Sequence, residues 1–221
     1  MTFSLVSLDM AGTTFDDGNT VYEVLGESVS RAIGAEVPRQ LVDKWTGTSK
    51  HEAIEGMLAA LQSDADSNDV YAEFTKALVD RYRNDPPAPF AGVTEMFAQL
   101  HDEGVKVALQ TGYSRPIAEL LLEGAGWKVG THVDALVSSD EVVASRPAPY
   151  LIFHTMEATG VDDVRKVLVA GDTPNDLLAG TRAGAAHVVG VLSGAHPSEE
   201  LECSPHTHIM STVTEIMSLR A

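Results

Sequence analysis

Short apolar runs at residues 3–9, 105–110, 134–138, 166–170 and 187–192 are rich in Val and Leu and alternate little. That pattern belongs to strands buried on both faces of a parallel sheet. Helical spacing fills the intervals, at 93–103, 115–124, 149–159 and 174–183. Strand alternating with helix predicts an α/β fold, a doubly wound parallel sheet with right-handed crossovers. Residues 19–84 break the alternation: they hold no strand pattern and predict helices near 20–33, 38–45, 49–62 and 69–83. This stretch ends at Asn84-Asp85-Pro86-Pro87-Ala88-Pro89, a stiff linker. The expected organisation is an α/β core domain of residues 1–15 and 88–221, with an inserted helical domain at 16–87. Linkers near 15–19 and 84–89 are expected as hinges, with Asp16 and Asp17 in a solvated turn.

Composition narrows the function. The 221 residues are 44% apolar and 21% charged, an ordinary globular balance. Thirty-two acids against 15 Lys+Arg give a formal net charge of −17. So acidic a chain repels phosphate backbones and anionic membranes, which argues against nucleic-acid and membrane partners. Chemistry on a phosphate would need local positive charge. The single cysteine, Cys203, excludes an internal disulfide and a Cys zinc cluster, and it fits a reducing compartment. No apolar run reaches the ~18 residues of a membrane span. The first residues, MTFSLVSLDM, lack a basic n-region and read as a strand. A cytoplasmic location is expected.

Ligands of open α/β sheets bind at the carboxyl ends of the strands. The first predicted strand runs into Leu8-Asp9-Met10-Ala11-Gly12-Thr13-Thr14, and the second into Gln110-Thr111-Gly112-Tyr113-Ser114-Arg115. Ser145-Arg146-Pro147-Ala148-Pro149 follows the third, and Gly171-Asp172-Thr173-Pro174-Asn175-Asp176 the fourth. Singly, most have plain explanations. Asp172 and Asp176 suit a turn and a first helical turn, Thr111-Gly112 a strand-to-helix turn, and Arg146 a solvated loop. Asp9 does not, because a carboxylate at the end of an apolar strand needs a partner or a task.

In this order, Asp9, Thr111, Arg146 and Asp172 with Asp176, plus the helical insertion as a cap, resemble the haloacid dehalogenase superfamily over nearly the whole chain. The resemblance implies that Asp9 is a nucleophile taking a phosphoryl group as an aspartyl phosphate. It implies Mg²⁺ held by Asp9, the Ala11 carbonyl and Asp172, with Asp176 supporting the metal directly or through water. Thr111, Gly112, Gly12 and Arg146 would grip the phosphate. Such an ion removes the repulsion between a carboxylate and an anionic phosphorus centre. Arg146 adds a permanent cation.

Ala11 sharpens this expectation. Many phosphatases of the superfamily have a second Asp there as general acid and base, and alanine carries no proton. Losing that acid costs about 10²–10⁴ in rate for an alkoxide leaving group. A carbon leaving group escapes the need if a lysine first condenses with a neighbouring carbonyl, because the iminium accepts the electrons of the P–C bond. Lys50 is the candidate. Ser49 followed by Glu52 is a capping-box pattern, and Ala53, Ile54, Met57, Leu58 and Leu61 mark an apolar helical face. Lys50 then lies in the first turn, where the helix field and partial burial lower its pKa from ~10.4. The Asp9–Thr14 stretch, Gly47-Thr48-Ser49-Lys50, Thr111-Gly112-Tyr113-Ser114-Arg115 and Arg146-Pro147-Ala148-Pro149 are similar to the phosphonoacetaldehyde hydrolase (phosphonatase) branch. Lys50 matches its Schiff-base lysine and Ala11 its alanine. Thr46 and Ala53 depart from it, standing where that branch has Met and His.

The expected activity is Mg²⁺-dependent, phosphonatase-like cleavage of a small carbonyl phosphonate. The alternative is a phosphomonoester phosphatase or phosphomutase acting on a small phosphorylated metabolite; a third reading is a binding protein on a decayed hydrolase scaffold. Trp45 is expected to anchor the helical insertion and Tyr113 to pack at the hinge, while His196, His206 and His208 show no ligand spacing. A cap-to-cap homodimer is compatible with the sequence, which specifies none.

Overall fold

The structure is a computed structural model, and it describes residues 3–220. Its centre is a six-stranded sheet, parallel throughout. Strand β1 (Leu5–Leu8) lies between β4 (Lys106–Gln110) and β6 (Val167–Gly171). Outside them stand β5 (Ala135–Val137) on one side, then β7 (His187–Val191) and β8 (His208–Met210) on the other. Register aligns Leu8 with Leu109 and Ala170, so the carboxyl ends of the three central strands share one edge.

The unbroken apolar runs have a direct cause. Alternate strand residues enter two different cores. Leu5, Ala108, Val167 and Val169 pack with Ile152 and Met156 of α7 (Tyr150–Thr159) and Ala179 and Ala183 of α8 (Pro174–Ala183). Val6, Leu8, Leu109 and Leu168 face the other way. They pack with Phe97 and Leu100 of α5 (Val93–Asp102) and Ile117 and Leu121 of α6 (Arg115–Gly124). A fully covered sheet has no polar face, so its strands do not alternate.

Between β1 and α5 lie four helices, α1 (Thr20–Ile33), α2 (Arg39–Asp43), α3 (Lys50–Ala60) and α4 (Ser67–Asn84). Val24, Leu25, Ile54, Phe74 and Leu78 form their interior, which is continuous with the apolar face under α5 and α6. The flanking linkers are not free turns. Phe15–Asp16 (β2) pairs antiparallel with Ala88–Pro89 (β3), so the ingoing and outgoing segments form one short ribbon. Asp16 is exposed as expected, but Asp17 is buried (9% exposed). Its carboxylate caps the start of α1, accepting N–H bonds from Asn19 and Val21, and accepts the Tyr82 hydroxyl. The edge strand β8 and the short helix α9 (Ser198–Glu202) were not expected from the sequence. Among the described residues no helix is long and apolar enough to cross a membrane.

Trp45 anchors the inserted helices as expected: its ring lies against Gly56 in α3, where any Cβ would overlap it. Gly56→Ala gains about 1 kcal/mol of helix propensity but forces the indole out of place. A net destabilisation of about 1–3 kcal/mol is expected in urea unfolding.

Candidate active site

The chain turns sharply after β1. Asp9 N–H donates to the Ala170 carbonyl at 3.0 Å, and the Met10 carbonyl accepts the N–H groups of Thr13, Thr14 and Phe15. The Thr14 hydroxyl donates to the Asp9 carbonyl at 2.9 Å. This turn holds the Asp9 side chain, 5% exposed, at the sheet edge. Arg146, 2% exposed, reaches it from the loop after β5: Nη1 donates to Asp9 Oδ1 at 2.6 Å and also to Asp176 Oδ1. Asp172 follows β6, with Oδ2 accepting Ala195 N–H at 2.8 Å and Oδ1 the Thr13 hydroxyl at 3.3 Å. Gly12 (φ +81°) and Gly194 press on Asp172 so closely that a Cβ at either would overlap its carboxylate.

Two buried carboxylates, Asp9 and Asp176, thus meet one guanidinium, with a third, Asp172, near enough to both to feel their charge. Burial pushes the Asp9 carboxyl up to about 6; Arg146 pulls it down and Asp176 pushes it up. Asp172 is held well above the usual range by burial, then by Asp9 and Asp176. An all-oxygen donor set with excess negative charge has the chemistry of a site for a hard divalent cation. The Ala11 carbonyl adds an oxygen that accepts no hydrogen bond among the described residues. Asp176 is already engaged at both oxygens. Arg146 engages its Oδ1, and the Thr173 hydroxyl (2.5 Å) and N–H (3.2 Å) engage its Oδ2, capping α8. Consistently, no three acidic, His or Cys side chains among the described residues converge on one point.

Lys50 joins this cluster from the helical insertion. Ser49 caps α3, its hydroxyl accepting Glu52 N–H at 3.2 Å. The reciprocal half of the expected capping box is absent, because Glu52 Oε1 instead accepts Ser145 N–H at 3.3 Å in the Arg146 loop. Lys50 is 5% exposed, and its Nζ donates to the Thr48 carbonyl at 3.0 Å. Nζ sits 5.1 Å from the Tyr22 ring centroid and 5.8 Å from that of Tyr113. Its pKa falls to about 8 through burial first and Arg146 second, opposed by Asp9, Asp17 and Asp176. Burial, rather than the expected helix field, is the main cause.

Asp9, Ala11, Lys50, Thr111, Gly112 and Arg146 border one cavity. Its volume is about 10 Å³, room for about one water. Arg146 Nε is buried with no hydrogen-bond partner, a donor awaiting an acceptor. Gly12 is a correction: its N–H donates to the Phe15 carbonyl at 2.8 Å, so it has no amide for a phosphate, and its place is against Asp172. Val21, Tyr22, Gly47 and Tyr113 also line the cavity. Val21 and Tyr22 fall in the helix expected near 20–33, where nothing in the sequence singled them out.

The seam between helices and sheet is polar. The Thr46 carbonyl accepts Asn175 Nδ2 at 2.8 Å, and its hydroxyl lies 2.7 Å from His196 Nε2. His196 Nδ1 is 2.6 Å from Glu200 Oε2. His196, unassigned in the sequence, therefore belongs to this seam. The Thr48 carbonyl abuts Gly112, where a Cβ would overlap it. Gly112→Ala should part the two segments. Amide hydrogen exchange at residues 46–53 should accelerate at least about tenfold, with the central strands unchanged.

The family model for haloacid dehalogenase-like hydrolases matches residues 3–184. A phosphonoacetaldehyde hydrolase of Parabacteroides distasonis is 30% identical over 209 residues, covering 86% of this chain and 76% of the relative. The crystal structure of a phosphonoacetaldehyde hydrolase like protein from Oleispira antarctica superposes with a TM-score of 0.84 at 22% identity, covering 99% of this chain and 91% of that one. A β-phosphoglucomutase from Thermotoga maritima superposes with a TM-score of 0.68 at 19% identity, over 99% and 98% of the two chains. At such identities the structural likeness speaks to the fold alone.

Proposed function

The chain belongs to the haloacid dehalogenase-like hydrolases, and from that premise we propose that it cleaves the P–C bond of a small carbonyl phosphonate. One observation carries the reading: Lys50 and Asp9, both buried, border the same small cavity, beside an alanine at position 11 that offers no proton.

Asp9 is the nucleophile and becomes an aspartyl phosphate. Lys50 condenses with the carbonyl of the substrate, so that the P–C bond breaks toward an iminium and the carbon leaves as an enamine. Arg146 holds Asp9 in place, and its free Nε–H has an acceptor once a phosphonate oxygen enters. Thr111 and Gly112 border the same space and bind the remaining oxygens. Asp9, the Ala11 carbonyl and Asp172 would hold Mg²⁺, with Asp176 supporting it from behind Arg146. When bound, the ion neutralises phosphonate oxygens that face Asp9. Residues 16–87 form a lid, because a cavity of about 10 Å³ admits no phosphonate until the helices move.

Borohydride reduction in the presence of phosphonoacetaldehyde should fix the two-carbon unit on Lys50, read by peptide mass. Failure to label Lys50, with phosphate still released, returns the reading to an ordinary phosphatase. The labelling rate should follow the neutral amine. Since the Lys50 pKa is lowered to about 8, the rate should climb as pH rises through 8 and level off above it. At pH 7 about one Lys50 in ten is neutral, against about one in three thousand for a lysine of ordinary pKa. A midpoint near 10.5 would contradict the buried setting.

A further inference from the structure

The Lys50 ammonium carries three N–H donors and no acceptor. Among the described residues one oxygen serves them, the Thr48 carbonyl at 3.0 Å, and Nζ forms no ion pair. Asp9, Asp17 and Asp176 bear on it through their charge alone. Two ring faces lie against it instead, with centroids 5.1 Å away for Tyr22 and 5.8 Å for Tyr113. Lys50 and both tyrosines are buried, and the cavity they border holds about one water. At least one N–H of the ammonium is therefore left without an oxygen acceptor.

The parts of this setting are held in place. The Tyr22 hydroxyl accepts Gly47 N–H at 3.0 Å, and the Tyr113 hydroxyl is 2.7 Å from that of Tyr82. The Thr48 hydroxyl donates to the Trp45 carbonyl at 2.7 Å. Gly112 leaves the room: a Cβ there would overlap the Thr48 oxygen and come within 3.5 Å of Nζ. An ammonium is poorly served here, because a buried donor without an acceptor costs free energy. A compact, strongly hydrated ammonium also gains less from an aromatic face than a flat, weakly hydrated cation does. An iminium formed on Lys50 has a single N–H and a flat cationic C=N. One carbonyl and two ring faces match those needs.

Resting on the proposed function, we infer that the Thr48 carbonyl and the rings of Tyr22 and Tyr113 form a seat that, relative to water, favours the iminium of Lys50 over its ammonium. The exchange is balanced: ammonium plus carbonyl compound gives iminium plus water. The C=O bond is replaced by C=N, and the oxygen leaves with two of the three nitrogen hydrogens. The one that stays is the one the Thr48 carbonyl accepts. Such a seat raises the population of the state that accepts the electrons of the P–C bond, which is where binding energy aids the reaction. The single carbonyl also directs the remaining N–H and so sets the plane of the C=N bond, across which the P–C bond must stand to break. Thr48 acts through its backbone; the tyrosines act through their rings rather than their hydroxyls.

The test is the equilibrium of the whole protein with acetaldehyde, a carbonyl with no phosphorus to lose. It is measured at about pH 6, where Lys50 and a free alkylamine are both mostly ammonium. NMR of carbon-labelled acetaldehyde separates iminium from carbinolamine and reads the constant directly. The constant should exceed that of a free alkylammonium by about 10²-fold or more, the scale of one buried charged donor left unserved. Tyr22→Leu should lose about fivefold of it. Tyr22→Phe, which keeps the ring and gives up the bond to Gly47, should recover it to within about twofold. Should Tyr22→Leu not fold, Tyr113→Leu against Tyr113→Phe puts the same question. A wild-type constant equal to the free amine's overturns this inference alone. Equal constants in the Leu and Phe variants overturn it as well, leaving Tyr22 only the task of holding Gly47. Phosphate release from phosphonoacetaldehyde with no adduct on Lys50 overturns the proposed function and this inference together.

Discussion

Lys50→Arg should abolish phosphonate hydrolysis, lowering kcat/KM for phosphonoacetaldehyde by about 10⁴-fold or more, the scale of losing a covalent nucleophile. The substitution separates two tasks that a lysine can perform. Arginine keeps a positive charge near Asp9, so a purely electrostatic role would survive in part. A guanidinium does not release its proton and forms no imine. Without the imine, the P–C bond would have to break toward a bare carbanion, which nothing bordering the cavity stabilises. Lys50→Ala is the companion, because arginine is bulkier than lysine and the cavity holds only about 10 Å³. Phosphate release from phosphonoacetaldehyde should be lost in both, and borohydride labelling with it. Retained turnover in either variant would remove the imine from the mechanism. Rapid hydrolysis of sugar phosphates by Lys50→Ala would instead favour a phosphomonoesterase.

What the sequence could reveal follows from where each signal is stored. β1, β4 and β6 were legible because a strand covered on both faces is apolar at every position, and chemistry at their ends then stood out. Asp9, Thr111 and Asp172 were singled out that way, and Arg146 in the loop after β5. β8 was not, because it is three residues long at a sheet edge, with only Met210 buried. Asp17 was misread because Asp16-Asp17-Gly18 has the composition of a solvated turn, and nothing local announces Tyr82, 65 positions later, against it. The pairing of Thr46 with His196, 150 residues apart, is hidden for the same reason. Gly12 failed differently: it stands in the expected place, but its N–H is already given to Phe15. Composition and order locate a group; only packing shows whether it is free.

Ala11→Asp should have the opposite sign, creating phosphatase activity instead of removing an activity. Position 11 borders the cavity two residues after Asp9 and is half-buried, so a carboxyl there can reach a leaving oxygen. Its neighbours favour the protonated form at neutral pH, because Asp9, Asp172 and Asp176 already crowd the site with negative charge and their desolvated setting raises carboxyl pKa values. A protonated acid is what an alkoxide leaving group lacks in the natural chain. Hydrolysis of an alkyl phosphate should therefore rise by about 10²–10⁴-fold, the usual value of general acid catalysis. The control is an aryl phosphate, whose leaving group is stable as an anion and needs no proton. It should gain little. The comparison isolates protonation from any general change in binding or in lid position, since both would act on the two esters alike. Equal gains for the two would mean that the new carboxyl merely reshaped the site. No gain for either, in a variant that folds and still binds phosphate, would show that alanine at position 11 is not what limits ester hydrolysis, and the argument from leaving-group chemistry to a carbon–phosphorus substrate would lose its first step.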